Sequence, residues 1–444
     1  MSAVKLNDVF LKIKPLLKKP VISWALYDFA NTSFAIVIIS VVFPIYFTNV
    51  IASSTIYGKN FGDLMWGVSS GVSMLIASAF APIFGAIADT HRSKNKFLII
   101  LTVFCIIFSF LLYFTGRGTV LIGMVIFICA NFFYQTSMMF YNSFLPELSE
   151  KGNVGFLSGF GFSLGYLGGL ITIAIIYPLL GGGLETENIA SLKLTFIITA
   201  VIFLIFAFPS FLFLKDKPAV NQSELLFHSR IFYIKYGFQK LGQTFRRMKY
   251  NKSLIRFLIA FFLYSNAFSI LAVYAAVYGK NTLNLSLQEI ALLLILGHFP
   301  VIISSIFFGW LVDRIGSKKV IVVTLALWCM VIIFVTLFNI KAVFYIAYIL
   351  ASVITGSTLI ASRSLMSFLI PYEREAEYFS FYAIGGKFSS ILGPVAFGLL
   401  SYITKSQRIA LLSTIIFLVG GLAVILTVKV PKTRPESIKD SPIP

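Results

Sequence analysis

The chain has 444 residues, of which 58% are hydrophobic, and its mean hydropathy is +0.91. Charged residues make up only 12%, about half the share that is usual in soluble globular proteins. A soluble fold cannot hide so much apolar surface, because even a large domain buries only about three quarters of the surface that its unfolded chain exposes. The composition therefore predicts a protein that is embedded in a lipid bilayer.

Apolar runs long enough to cross the membrane recur along the chain, since a hydrocarbon core about 30 Å thick needs roughly 20 residues per helix. There are twelve such runs: 21–50, 64–88, 96–116, 119–145, 154–180, 192–214, 253–278, 287–312, 318–339, 341–370, 376–403 and 407–429. We therefore expect an all-α membrane protein of twelve transmembrane helices. The longest break follows the sixth run, which predicts a six-helix half over 1–214, a linker over 215–252, a second half over 253–430 and a cytoplasmic tail over 431–444.

The net charge of +19 follows the predicted topology. With the N-terminus inside, 26 of the 36 Lys and Arg residues fall on the cytoplasmic side and 7 on the outer side. This excess fits the positive-inside rule with both termini cytoplasmic, so a nucleic-acid partner is not needed to explain the charge. The basic linker predicts either an amphipathic helix on anionic lipid headgroups or a solvated connection between the halves. The absence of a recognisable targeting segment favours a bacterial inner membrane.

An internal repeat relates the two halves. Gly85 and Asp89 end the second run, and Gly309 and Asp313 end the eighth, each pair 224 positions apart. Basic residues follow both pairs, Arg92 in the first copy and Arg314 in the second. Duplicated halves are the architecture of secondary transporters. The repeated Gly and Asp with their basic neighbours resemble the cytoplasmic signature of the major facilitator superfamily. That resemblance implies a cytoplasmic gate formed by these six residues.

Further stretches carry a closer resemblance. They are Trp24-Ala-Leu-Tyr-Asp28-Phe-Ala-Asn31-Thr-Ser-Phe34, Tyr141-Asn-Ser-Phe-Leu-Pro146-Glu147, the Gly-rich segment 158–169, Ser362-Arg363 and the segment 375–387 that ends in Lys387. Together they resemble the vacuole-effluxer-like branch of the superfamily, which is related to a fungal autophagy protein linked to vacuolar amino-acid export. The resemblance implies a polytopic transporter and suggests an amino-acid substrate.

Asp28 lies well inside the first apolar run, with Asn31 and Thr32 at positions i+3 and i+4 on one helix face. A carboxylate inside the membrane costs about 2.5–3.5 kcal/mol on insertion scales, so it marks a candidate functional site. We expect Asp28 to couple transport to protons or to bind a substrate amine. The alternative is a structural salt bridge or cap between helices.

Two cations lie inside predicted helices of the second half. Lys387 lies near the middle of the eleventh run, where the repeat places the uncharged Phe162 in the first half. We expect Lys387 to bind an anionic group of the substrate or to pair with Asp28. Arg363 is either a second substrate or gating contact, or a side chain that extends to the inner surface.

Asn131 and Gln135 are spaced by four residues in the fourth run and predict a polar face that lines a cavity, or else hydrogen bonds between helices. The glycines Gly161, Gly165 and Gly169 predict close packing of the fifth helix.

These features predict a secondary active transporter that moves a small polar or zwitterionic solute by alternating access, with proton coupling as a further expectation. The rival within transport is a carrier of amphiphiles or lysolipids, and the rival outside it is a membrane receptor or scaffold. An enzyme is not expected, because no nucleophile–base set or metal-ligand spacing is found. The sequence also lacks a P-loop, so ATP hydrolysis is not expected as the energy source. Without metal-ligand spacing, no metal or other cofactor is expected either.

Overall fold

The computed structural model describes residues 18–91, 93–148, 154–216, 251–370 and 375–431. Within these ranges the chain is helical. The long helices are α1 Lys19–Ile51, α2 Phe61–His91, α3 Lys94–Leu111, α4 Val120–Ser143, α5 Val154–Ile176, α6 Ile189–Phe213, α7 Lys252–Asn281, α8 Leu287–Ile315, α9 Ser317–Phe338, α10 Lys341–Leu369, α11 Glu375–Thr404 and α12 Gln407–Leu426. Eleven of them have a described stretch long and apolar enough to cross a membrane, and the remaining one, α8, has 29 residues. The predicted twelve-helix membrane protein is confirmed.

Helix α1 is not a regular α-helix throughout. It is α-helical over Lys19–Phe34 and Val42–Tyr46, and it widens into π-helix over Ala35–Ser40 and Phe47–Ile51. Pro44 accounts for the first widening, because its ring has no N–H to donate and would clash with the carbonyl four residues earlier. The helix therefore changes geometry shortly after the Asp28 segment.

The chain divides into two compact units, one formed by Met1–Ile56 and Val72–Ile234 and the other by Tyr57–Gly71 and Lys235–Pro444. The division runs through α2, whose first residues belong to the second unit. In the first unit α1 packs against α5 and α6, while α3 packs against α4 and α6. Buried hydroxyls reinforce these contacts: Ser33 and Thr172 lie 2.6 Å apart between α1 and α5, and Ser210 donates to the Ser23 carbonyl at 2.6 Å between α6 and α1.

The second unit repeats the same pairings six helices later. Helix α7 packs against α11 and α12, and α9 packs against α10 and α12. The Tyr264 and Ser362 hydroxyls lie 2.6 Å apart between α7 and α10, and Ser389 donates to the Phe262 carbonyl at 2.9 Å between α11 and α7. Because these four pairings of one half have counterparts in the other, the internal repeat extends from sequence to packing.

Glycines let α5 approach α1 closely. A methyl group on Gly168 would lie 2.6 Å from the Phe29 carbonyl oxygen, and one on Gly161 would lie 2.7 Å from the Trp24 ring. In the other half, a methyl group on Gly393 would lie 2.7 Å from the Asn266 carbonyl oxygen. The close packing predicted for the fifth helix is therefore present, and it recurs between α7 and α11.

Large apolar side chains are exposed on many of the described helices, for example Leu121, Ile205, Ile346 and Ile416. Water would oppose such exposure, whereas lipid chains are as apolar as these side chains and do not. The buried positions instead include small and hydroxyl-bearing residues such as Thr199 and Thr358. This distribution is what a bilayer solvent requires.

Candidate functional site in the N-terminal half

Asp28 lies on the face of α1 that meets α5. Its side chain is half-buried, and Thr32, one turn later, is half-buried too and donates to the Asp28 carbonyl at 3.0 Å. Gly165 of α5 lies directly opposite, where a methyl group would lie 3.3 Å from Asp28 Oδ2 and 2.9 Å from Thr32 Oγ1. The absence of a side chain at Gly165 therefore leaves the space that the Asp28 carboxylate occupies.

Three tyrosines of α4 and α5 lie within electrostatic range of this carboxylate. The phenols of Tyr134, Tyr141 and Tyr166 each interact electrostatically with Asp28. The Tyr141 ring stacks on Trp24 with centroids 4.8 Å apart and on Tyr27 with centroids 5.1 Å apart. The Trp24 indole N–H also donates to the Tyr141 carbonyl at 3.1 Å. These contacts hold Tyr141 rigidly beside Asp28.

Several polar atoms beside Asp28 are buried without a hydrogen-bond partner in the part of the chain that the structure describes. Asn31 is 1% exposed, its side-chain amide faces the Asp28 carboxylate, and its Oδ1 has no hydrogen-bond partner. The Tyr141 hydroxyl, on a residue 2% exposed, is likewise unbonded. Leaving a buried donor or acceptor unpaired costs about 1–3 kcal/mol. Unpaired buried groups beside a carboxylate therefore call for a polar partner, such as a bound solute.

The two amides predicted on α4 are hydrogen-bonded to each other. Gln135 Nε2 donates to Asn131 Oδ1 at 3.4 Å, and Asn131 Nδ2 donates to the Ser73 hydroxyl of α2 at 2.6 Å. Asn131 is buried and Gln135 is half-buried. The Asn131–Ser73 bond is therefore interhelical, whereas the Gln135–Asn131 bond lies within α4, and Gln135 has the more accessible amide of the two.

Lys387 and Arg363 belong to the other half. Lys387 of α11 is half-buried, and it has no hydrogen-bond or ion-pair partner among the described residues of its own half. Arg363 of α10 is exposed and interacts electrostatically with the Tyr382 phenol of α11. The Tyr382 ring is fixed by stacking on Phe261. Neither cation forms an ion pair with a carboxylate among the described residues of this half, so both can bind an anionic group.

The predicted cytoplasmic gate lies mostly outside the part of the chain that the structure describes. Gly85, Asp89, Gly309 and Asp313 lie on α2 and α8, but their surroundings fall outside the described residues, as does the whole of Arg92. Arg314 is described, and its guanidinium lies 4.4 Å from the centre of the Trp310 ring.

In the first unit, the start of α3 is bound to the segments that follow α4 and α6. Lys94 forms a 2.7 Å ion pair with Glu147, and Asp216 accepts from the backbone N–H of Asn95. Burial raises the pKa of Asp216 above its ordinary value, since desolvation outweighs these favourable contacts.

Comparison with known proteins gives the family. The model of the family described as "Vacuole effluxer Atg22 like" matches residues 65–155 and 153–438, which together cover most of the chain. The chain belongs to this family. The resemblance inferred from the quoted stretches is therefore confirmed, and those stretches extend it to residues that precede the matched region.

Two relatives with similar sequences carry names that fit this family. The chain is 26% identical over 428 residues to the uncharacterised MFS-type transporter YxiO of Bacillus subtilis, covering 95% of this chain and 97% of that one. It is 27% identical over 333 residues to autophagy-related protein 22 of Yarrowia lipolytica, covering 68% of this chain but only 55% of the fungal protein.

Among solved structures, a D-xylose–proton symporter matches with a TM-score of 0.67 at 13% identity, covering 96% of this chain and 98% of the other. The nucleoside transporter NupG matches with a TM-score of 0.69 at 12% identity, covering 93% and 99%. Such low identities establish the fold alone. Together with the family match, they make the chain a membrane transporter of the major facilitator type.

Proposed function

We propose that this transporter moves a small polar or zwitterionic solute, with amino acids as the first class to test, by alternating access and in exchange or symport with protons. It acts as a secondary transporter in a bacterial inner membrane, with both termini in the cytoplasm. Residues 1–214 and 253–430 are the two halves that alternate, and the linker 215–252 associates with anionic headgroups.

The observation that carries the proposal is the set of unbonded polar atoms around Asp28. The Asp28 carboxylate, the Asn31 amide oxygen and the Tyr141 phenol oxygen offer one negative charge and further acceptors. An ammonium group has three donors and a positive charge, and aromatic faces attract cations as well. The site around Asp28 therefore suits the amine of a solute better than a neutral sugar or an anion.

A zwitterion also needs a cation for its carboxylate. We assign the binding of an anionic group of the solute to Lys387 and Arg363, since both are cations inside helices of the second half and an Arg guanidinium can bind a carboxylate through two parallel hydrogen bonds. An amino acid carries both charges, as these two kinds of group require. These points favour amino acids over other polar solutes as the substrate.

Proton coupling rests on the same carboxylate. When the solute leaves, Asp28 loses its positive partner, and a proton can replace it at far lower cost than leaving the charge unpaired in the membrane. Competition between the solute amine and the proton for one carboxylate is enough to link the two fluxes. Gly85, Asp89, Arg92, Gly309, Asp313 and Arg314 act as the cytoplasmic gate in this scheme.

The test uses purified protein in liposomes that contain a pH-sensitive dye. We expect individual amino acids, added under an imposed pH gradient, to produce a pH change that protein-free liposomes do not show. The isosteric variant Asp28→Asn should lose this pH change, whereas the matched control Asp216→Asn, outside the membrane-spanning segments, should keep it. If Asp28→Asn retains full gradient-driven uptake, the coupling role is wrong. Binding of lysolipids in place of amino acids would point to an amphiphile carrier, and binding of neither to a receptor.

A further inference from the structure

A second carboxylate, which the proposed transport scheme does not use, is buried at the start of α2. Asp63 is the third residue of this helix and is only 1% exposed. Residues Tyr57–Gly71 belong to the same compact unit as α7, α11 and α12, while α2 from Val72 onward belongs to the other unit. Asp63 is therefore surrounded by helices of the half to which most of α2 does not belong.

Two neutral side chains donate to Asp63, and both bonds end on the same oxygen. The Ser401 hydroxyl donates to Asp63 Oδ2 at 2.6 Å, and Gln407 Nε2 donates to it at 2.8 Å. Thr282 donates to Gln407 Oε1 at 2.8 Å, which orients the glutamine so that its amide nitrogen faces Asp63. Among the described residues, Oδ1 has no hydrogen-bond partner. We call Asp63, Ser401, Gln407 and Thr282 the Asp63 cluster.

The backbone around the cluster is closely packed. The Tyr274 hydroxyl of α7 donates to the Asp63 carbonyl at 2.6 Å. A methyl group on Gly398 of α11 would lie 2.6 Å from that same carbonyl oxygen, and Gly67 is packed directly against the Pro394 carbonyl. The two glycines bring α2 and α11 into backbone contact, and this contact is what buries Asp63.

The charged and titratable groups nearby do not neutralise Asp63. Of these groups only Tyr274 touches it, and an ordinary phenol stays uncharged near neutral pH. The Arg408 guanidinium of α12 donates to the Thr336 carbonyl, and Lys405 lies over the Tyr402 ring and donates to the Lys59 carbonyl. In the described part of the chain, no Lys, Arg or His nitrogen comes within 4.0 Å of the Asp63 carboxylate.

We propose that Asp63 is a proton-binding site that fastens the start of α2 to α7, α11 and α12. An ionised carboxylate that is buried without a cation is strongly disfavoured, whereas the neutral acid keeps both bonds to Oδ2 and carries its proton on Oδ1. The proton comes from water on the side of the α1–α2 loop when the cluster closes, and it returns there when α2 moves away and water reaches Oδ1. Low pH on that side therefore holds the cluster closed.

The test measures hydrogen exchange of residues 61–71 in the full-length protein in lipid nanodiscs, without any solute, after correction for the intrinsic exchange rate at each pH. One linked proton changes the opening equilibrium by at most about tenfold per pH unit. We expect protection of 61–71 to fall as the pH rises from about 5.5 to about 8, with a slope up to that limit. Because no solute is present, the result does not depend on the proposed substrate.

Asp63→Asn, a permanently neutral mimic, should keep 61–71 protected at every pH. The control Glu289→Gln removes another carboxylate on the same side, which is paired with Lys341 at 3.1 Å, and should leave the pH dependence as in wild type. Wild-type protection that does not change with pH would overturn the proposal without reference to any variant. Unchanged pH dependence in Asp63→Asn would overturn it as well.

Discussion

Replacing Gly165 by alanine tests the site around Asp28 with the smallest addition the chain allows. The new methyl group would lie 2.9 Å from Thr32 Oγ1 and 3.3 Å from Asp28 Oδ2. Both are side-chain atoms, so they can move without any shift of the helix backbones. We expect the threonine hydroxyl to rotate, which breaks its bond to the Asp28 carbonyl, and the carboxylate to move by a few tenths of an ångström.

The effect on stability should be close to zero. Losing the Thr32 hydrogen bond costs about 1 kcal/mol, and replacing glycine by alanine inside a helix stabilises it by about 0.5–1 kcal/mol. The effect on solute binding should be much larger, because a hydrogen bond to a charged group contributes about 1.5–3 kcal/mol and depends on geometry. If most of that is lost, the affinity falls roughly tenfold to a hundredfold.

Two matched glycines on α5 separate function from folding. A methyl group on Gly159 meets nothing within 4 Å, so Gly159→Ala should bind and unfold like wild type. A methyl group on Gly168 meets the Phe29 backbone at 2.6 Å, which cannot rotate away, so Gly168→Ala should lose about 1–2 kcal/mol of stability after the helix gain is subtracted.

The assays are thermal unfolding followed by tryptophan fluorescence, and amino-acid-dependent pH change in liposomes, on all three variants. Gly165→Ala should unfold near the wild-type temperature and transport poorly, whereas Gly168→Ala should unfold at a lower temperature. If Gly165→Ala transports like wild type, Asp28 is not part of the solute site. If Gly168→Ala is as stable as wild type, the close packing of α1 and α5 is not what stabilises this half.

Two further predictions concern the second half and the helix contacts. Lys387→Ala should raise the solute concentration needed for half-maximal transport about tenfold, because it removes a charge-assisted bond to the solute carboxylate. The control Lys405→Ala removes a lysine outside the helices and should leave this concentration unchanged. Equal values for the two variants would contradict the role of Lys387. In a double-mutant cycle on Ser33→Ala and Thr172→Ala, thermal unfolding should give a coupling energy of about 0.6 kcal/mol for the 2.6 Å hydroxyl pair, and a value near zero would show that the pair adds no stability.

The sequence alone determined how many helices the chain has and where its repeat lies. Each span needs about 20 apolar residues, and that signal is local, so it can be counted along the chain. The same holds for Asp28, since a carboxylate within an apolar run is exceptional wherever its neighbours lie. Family membership could also be recognised, because it rests on residue order in a few stretches.

The neighbours of Asp28 could be predicted only in part. Tyr141 belongs to one of the stretches that carry the family resemblance, but nothing in the sequence shows that its ring stacks on Trp24. Tyr166 lies in a Gly-rich run that predicts close packing rather than a site. These contacts depend on the rotation of α4 and α5 about their axes, which packing decides.

Asp63 shows the limit of sequence most clearly. Asp63 is the third residue of a helix, and an acidic residue at that position is ordinarily expected to face water and to interact favourably with the helix dipole. Only the tertiary structure shows that it is enclosed by Ser401 and Gln407, more than 330 positions away. A local pattern records how apolar a helix face is, but not which helix covers it. The burial of this carboxylate, and with it the second proton-binding site, is therefore decided by packing alone.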